Sequence, residues 1–289
     1  MRAEPLPASG RTGDKSRPDI RPFLKWPGGK YRLLSRIRNA LHPGKRLIEP
    51  FVGSGAVFLN TDYGAYLLAD ANPDLIGLYR RLCEEGAAFI SYCRRFFNGA
   101  ANTREAYYAY RDEFNETRRA RRKSALFLYL NRHGYNGLCR YNGKGGFNTP
   151  FGRYDKPYFP EKEMLAFVGR AQNTTLLQAR FDESMPLARP GDAVYCDPPY
   201  VPLSETAHFT DYHAGGFTWD DQVRLADIAC ELAHNRVQVV ISNHDTRQVR
   251  ELYRVRDAEI TGFKVRRNIS SDAGNRGEVR ELLAVFNPR

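Results

Sequence analysis

Asp197-Pro198-Pro199-Tyr200 follows the apolar run Ala193-Val194-Tyr195. Two successive prolines fix φ and remove donors that a sheet ladder needs, so the strand is predicted to end in a rigid, extended turn. That turn points the Asp197 carboxylate and the Asp197 and Pro198 carbonyls at a common spot, a set of acceptors suited to an NH2 group. The exocyclic amine of a nucleobase is a poor nucleophile, because its lone pair is delocalised into the ring. Hydrogen bonds accepted from its two N–H groups push density back to nitrogen. Tyr200 adds a flat face for the ring to stack on. A proline-rich turn with a surface acid is the competing reading, and the position straight after an apolar strand disfavours it.

Phe51-Val52-Gly53-Ser54-Gly55 lies between a short apolar strand and a helix, and Asp70 stands fifteen residues beyond Gly55 at the tip of the next strand. Glycines admit a ligand close to the backbone, and a carboxylate at that second tip can hold two ribose hydroxyls. The third glycine of a dinucleotide fingerprint is missing, since Ala56 to Leu59 contain none, which disfavours NAD. A nucleoside without a pyrophosphate, such as S-adenosylmethionine, needs only the tight turn. Lys25-Trp26-Pro27-Gly28-Gly29-Lys30 is no P-loop, because Tyr31 replaces the Ser or Thr that must follow the lysine. Trp26 and Lys30 are instead placed to cover the methionine part of such a cofactor.

These residues need a framework. Leu33, Leu34, Ile37 and Leu41 recur at helical spacing until His42-Pro43-Gly44 stops them. Strands are expected at Arg46 to Ile48 and over 65–70, with a helix opening at Ala56 between them and Asn72-Pro73 turning the chain afterwards. Strand, glycine turn, helix, strand, acid is the order of a dinucleotide-like α/β half-fold. Residues 73–160 break that rhythm with helical stretches (DLIGLYRRL, FISYCRRFF, SALFLYLNR) and a Gly/Asn/Tyr-rich loop from His133 to Pro157. They read as an insertion into one sheet, which resumes with TTLLQAR, DAVYCDPPY, a helix over Trp219 to Ala233, VQVVIS and a final pair of strands near 260–266 and 281–286. Residues 1–20 carry too little apolar content to pack and are expected to form a flexible tail.

The chain has 289 residues and 44 Lys and Arg against 33 Asp and Glu, a formal net charge of +11. The excess is concentrated: between Arg104 and Lys156 there are twelve Lys or Arg, including Arg118, Arg119, Arg121, Arg122 and Lys123, and five acids. Tyr107, Tyr108, Tyr110, Phe127, Tyr129, Tyr135, Tyr141 and Phe151 are interleaved. Cations neutralise phosphates and aromatics stack on bases, so the mixture points to nucleic acid. The five cysteines are scattered, with no metal-ligand spacing, and are expected to be reduced thiols in a cytosolic protein without a structural metal. No apolar run is long enough to span a bilayer.

F-L-K-W-P-G-G-K, E-P-F-V-G-S-G, D-P-P-Y and I-S-N-H-D, in that order, resemble the Dam family of α-type DNA adenine methyltransferases over roughly residues 22–287. N-R-H-G-Y-N-G-L-C-R-Y-N (131–142) and F-N-T-P-F-G-R-Y (147–154) resemble the target-recognition region of its GATC-methylating members. The resemblance implies an α/β fold, a Rossmann-like seven-stranded methyltransferase sheet, with a mainly helical recognition domain inserted. The catalytic domain would be 21–72 with 161–289, and the recognition domain 73–160. It further implies S-adenosylmethionine as donor and double-stranded DNA as partner, for an enzyme expected to be a monomer.

Carried over residue by residue, Trp26, Lys30, Phe51, Gly53, Asp70 and Asp197 resemble the family's cofactor contacts, and Asp197, Pro198, Pro199 and Tyr200 its catalytic loop. Lys25 resembles the reader of the outer guanine and Arg140 the reader of the other end of the site. Leu138 and Pro150 resemble their apolar neighbours at a thymine methyl, and Tyr135 with Asn136 the wedge that enters the base stack. The resemblance extends the DNA-binding set to Arg111, Arg132, Asn142, Arg153 and Tyr154. Pro27 departs from the small residue common in the family.

The implied reaction is methylation of adenine N6 by base flipping and direct in-line transfer, with Asp197 orienting the amine. Rival readings are an enzyme acting on cytosine N4 or on RNA adenine, and a catalytically silent binder on the same scaffold. His244 is expected to be structural rather than a proton relay, and Cys196 is not expected to be a nucleophile.

Overall fold

The computed structural model describes residues 18–200, 216–266 and 278–289. Its centre is a seven-stranded sheet of β1 (Arg46–Glu49), β2 (Ala65–Asp70), β3 (Thr174–Gln178), β4 (Ala193–Cys196), β5 (Gln238–His244), β6 (Glu259–Arg266) and β7 (Glu278–Phe286), in the order β3-β2-β1-β4-β5-β7-β6. All neighbours are parallel except β7, which runs antiparallel to both β5 and β6. This is the expected Rossmann-like α/β sheet. Most of the tail expected at the N-terminus lies outside the described residues. Its last two residues are tied down: Arg38 bonds the Asp19 carboxylate at 2.7 Å, and Ile20 N–H donates to Asn60 Oδ1 at 2.7 Å.

The central strands read as nearly unbroken apolar runs because helices cover both sheet faces. Alternate residues take opposite sides. Leu47, Leu68, Tyr195 and Val240 join one buried cluster, while Ile48, Leu67, Val194 and Ile241 join the other. The second cluster is closed by α9 (Trp219–His234) and α10 (Arg247–Arg254), through Leu225, Ile228, Ala229, Val249 and Tyr253.

On the first face lie α1 (Leu34–Ala40), α2 (Ala56–Leu59), α3 (Pro73–Glu85), α4 (Ala87–Arg94), α5 (Arg104–Glu116), α6 (Ala120–His133) and α7 (Glu161–Arg170); α8 (Phe181–Ser184) follows β3. Asn72-Pro73 does more than turn the chain. Asn72 Oδ1 accepts from Asp74 N and Leu75 N at 2.9 and 3.2 Å, capping α3 with proline at its first turn. The helical stretch 73–160 shares the sheet's core: Phe23, Leu34, Phe58, Leu78, Leu126 to Leu130, Phe147 and Phe167 belong to one cluster, and α3 touches β2 and β3 as well as α6. Among the described residues no helix is long and apolar enough to cross a membrane.

Candidate active site

Strand order reverses between β1 and β4, where the chain leads one way through β2 to β3 and the other way to β5. Ligand crevices in open α/β sheets form outside the carboxyl ends of strands at such a point. Register places Ile48 beside Val194, so Glu49 to Gly55 and Cys196 to Tyr200 leave the same edge side by side.

After β1 the chain turns sharply at Gly53 (φ 47) and Gly55 (φ 72). A Cβ on Gly53 would come within 2.8 Å of Trp26 Nε1, so the indole lies against bare backbone. Gly53 N–H donates to Asp70 Oδ2 at 3.1 Å and Asn72 N–H to Asp70 Oδ1 at 3.0 Å, fixing that carboxylate at the tip of β2. Burial pushes the Asp70 carboxyl upward, against the pull of the two main-chain donors. Phe51 stacks on Phe181 with centroids 5.6 Å apart and meets Phe217 edge-on, forming an aromatic wall.

Beside this turn, Asp197 Oδ1 is held by the buried Lys30 ammonium at 2.7 Å and by the Ser242 hydroxyl at 2.9 Å. Asp197 Oδ2 has no hydrogen-bond partner among the described residues. Lys30 also donates to Gly28 O at 2.7 Å and sits 4.6 Å from the Tyr200 ring centroid. The Tyr200 hydroxyl donates to Glu281 Oε2 at 3.3 Å, and His244 packs edge-on against its ring at 4.6 Å. Burial, with the Asp197 and Glu281 carboxylates nearby, pushes the Tyr200 phenol well up, so it stays neutral. Cys196 is fully buried, and burial raises its thiol far above the ordinary value, which removes the thiolate a nucleophile needs.

The DPP turn is braced from behind. Gln222 Nε2 donates to Pro199 O at 3.0 Å, and Asn243 Nδ2 donates to Gln222 Oε1 at 3.0 Å and to the Tyr253 hydroxyl at 3.1 Å. Gln222 carries no sequence signal. Ser242 and Asn243 stand in I-S-N-H-D, but that motif does not reveal their part in holding the turn. Glu49 was also passed over. It is 2 % exposed, its Oε1 has no partner, and burial together with the neighbouring Asp197 charge pushes its carboxyl well up. Among the described residues no group of three or more His, Cys, Asp or Glu is placed to hold a metal.

A second group gathers where α6 ends. The Lys25 ammonium lies 3.7 Å from the Tyr154 ring centroid and 3.4 Å from Arg132 O, and burial beside the Arg132 charge lowers its pKa to about 8. The Tyr154 hydroxyl accepts from Asn136 N–H at 3.0 Å, and Asn136 adopts φ 52. Tyr135 is 48 % exposed while its main chain is pinned to Pro150 O at 2.8 Å, so the ring stands out from a fixed backbone. Arg140 is exposed, and its Nε donates to Asn148 Oδ1 at 2.8 Å. Leu138 is half-buried, its carbonyl accepting from the Thr149 hydroxyl at 2.9 Å.

Lys25, Arg132, Tyr135, Asn136, Tyr154 and Pro150 thus meet at one place. Asn142 caps its own hairpin, its Oδ1 accepting from Lys144 N and Gly146 N at 3.0 and 2.9 Å. Arg153 is exposed with φ 53. Arg111 lies on α5, stacked 4.6 Å over Tyr108.

Residues 26–269 match the family model of the D12 class N6 adenine-specific DNA methyltransferases. The chain is 51% identical over 268 residues to a DNA adenine methylase of Escherichia coli (strain K12), covering 93% of this chain and 96% of the relative. It is 51% identical over 269 residues to a DNA adenine methylase of Vibrio cholerae serotype O1, with the same coverage. A Serratia marcescens DNA adenine methylase is 50% identical over 267 residues, covering 92% of this chain and 98% of that relative.

Proposed function

Because the chain belongs to the D12 class of N6 adenine-specific DNA methyltransferases, we propose that it transfers methyl from S-adenosylmethionine to adenine N6 within GATC, on a base rotated out of the duplex. The observation that carries this reading is the state of Asp197. Lys30 and Ser242 hold Oδ1, which leaves Oδ2 as an acceptor beside the Tyr200 ring.

The crevice fits the donor. Glu49 Oε1 is a buried acceptor without a partner, and each Asp70 oxygen keeps lone-pair capacity after accepting one main-chain N–H. Phe51, Gly53 and Asp70 would hold the nucleoside end, with Trp26 and Lys30 over the methionine end. When bound, the donor supplies a sulfonium methyl electrophile.

The residues of this chain do the rest by positioning. Asp197 and the Pro198 carbonyl accept from the two amine N–H groups and so aim the nitrogen lone pair. The Tyr200 ring stacks on the base, its tilt set by Glu281 and His244. Gln222 and Asn243 keep the turn from yielding as the base enters. Extrahelical presentation is required because N6 inside a base pair cannot be attacked. Tyr135, exposed on a pinned backbone, supports the role of a wedge that keeps the vacated stack open. Lys25 and Arg140 would read the ends of the site, with Leu138 and Pro150 against a thymine methyl. Arg111, Arg132, Asn142, Arg153 and Tyr154 would flank them on the duplex.

Unmethylated plasmid is incubated with the protein and S-adenosylmethionine, then challenged with endonucleases that cut only methylated or only unmethylated GATC. Conversion from one cleavage pattern to the other is expected. Labelled methyl incorporated without that conversion would keep the reaction and discard the site.

A further inference from the structure

We propose that a cleft at the opposite end of α6 is an anchor for the duplex backbone, engaging phosphates outside the recognised site. It rests on the reading that the recognition loop docks on DNA. Tyr92, Glu113, Thr117, Arg119 and Arg122 enclose a cleft of about 360 Å³. Its lining acid is already used: Glu113 is held by Arg122 through two bonds of 2.6 Å, and Glu85, outside the lining, is held by Arg121 at 2.6 Å.

Cations remain beyond these pairs. Arg118 and Arg119 are exposed and form no ion pair among the described residues. Arg95 and Arg121 stack over the Tyr92 ring at 4.6 and 4.3 Å. Even with exposed Glu116 counted against them, Arg95, Arg118 and Arg119 leave the rim positive. The first turn of α6 adds no acid and no side-chain cap. Arg119 adds a second positive charge facing Glu113, whose carboxylate Arg122 already holds, and such an excess of guanidinium over carboxylate, beside the Thr117 hydroxyl, suits phosphate oxygens.

The occupant follows from where the cleft lies. α6 spans 14 residues, about 20 Å end to end, and carries the cleft at its start and the Lys25–Arg132–Tyr154 group at its end. A duplex seated on the recognition loop passes within reach of the cleft only if it continues beyond the site. The one aromatic lining the cleft, Tyr92, is already stacked by Arg95 and Arg121, so the cleft adds affinity without sequence preference.

The test compares two duplexes with the same central GATC, one of about 10 base pairs, which ends about 17 Å from its centre, and one of about 30. Binding of the Arg118→Gln/Arg119→Gln protein is measured by fluorescence anisotropy over a range of salt. Affinity for the long duplex is expected to fall on the order of tenfold, with the salt slope shallower by about 2, while affinity for the short duplex shifts less than about twofold. Arg118→Lys/Arg119→Lys restores most of the long-duplex affinity. Equal losses on both lengths, or no loss on either, overturn the proposal. If the base-reading assignment itself fails, the wild-type protein binds the long duplex and a copy of it with the GATC scrambled equally well, a result independent of the length difference.

Discussion

Asn131 holds the main chain of Lys25 from both sides, accepting from Lys25 N–H at 2.9 Å and donating to Lys25 O at 2.7 Å. The same amide donates to Gly137 O at 3.1 Å. A Cβ on Gly137 would come within 2.2 Å of Lys25 Cβ, so the Lys25 side-chain stem lies against bare loop backbone. Five residues beyond Lys25, Lys30 pairs with Asp197. One buried amide therefore connects the proposed reading loop to the segment that reaches the Asp197 carboxylate.

Replacing Asn131 with Leu leaves Lys25 N–H and C=O buried without partners, at about 1–3 kcal/mol for each group. Thermal unfolding is expected to show a loss of several degrees. Discrimination between GATC and a site altered at its outer guanine should weaken more than overall DNA affinity. A variant that melts lower yet discriminates as before would place the coupling elsewhere.

Asp197→Ala removes the acceptor proposed to aim the amine. Transfer should fall by at least about 10³ while duplex affinity stays within a few fold, a span typical of lost preorganised acceptors. Ser242→Ala removes one of the two groups that hold Asp197 Oδ1, leaving Lys30, and should cost on the order of tenfold in kcat with KM for DNA little changed. Single-turnover methylation and anisotropy on the same preparations separate the two effects. Equal loss of binding and turnover in Asp197→Ala would count against its role.

The sheet was legible because its strands are short apolar runs, and β2 begins and ends at the residues the pattern gave. D-P-P-Y was legible because two prolines after a strand have few structural uses. Helix α10 has eight residues and only Val249, Leu252 and Tyr253 buried, too short a stripe to stand out. The division at residue 73 was drawn from a change of rhythm, whereas α3 packs on the sheet and the helices at once. Gln222 and Asn131 act by hydrogen-bonding main chain far away in sequence, a pairing that no local pattern encodes. Glu49 opens the E-P-F-V-G-S-G motif, but its burial and its unpartnered Oε1 are set by tertiary packing, which the motif does not encode.

Glu49 carries a carboxyl that burial keeps protonated above the usual carboxylate range. A donor bringing an ammonium to Oε1 would stabilise the ionised form and drive a proton off. Calorimetric titration with S-adenosylmethionine at about pH 6 should then give an enthalpy that follows the ionisation enthalpy of the buffer. Glu49→Gln should abolish that dependence and weaken binding by about tenfold or more, with unfolding little altered because one neutral group replaces another. Wild-type enthalpies that are the same in every buffer would remove Glu49 from the donor site.

Lys25 titrates at about 8 because burial and the Arg132 charge disfavour its ammonium. It is charged below that value and neutral above it, so a role in reading guanine acceptors weakens as pH rises through about 8. Contact with an acceptor on DNA favours the charged form, which means that binding above this pH takes up a proton. Affinity for a GATC duplex at fixed ionic strength should decline from pH 7 to 9 in the wild-type protein. Lys25→Met should be weaker at pH 7 and change less over the same range, so the two curves converge at high pH. Parallel curves would assign the pH dependence to another group and leave Lys25 without a charge-dependent contact.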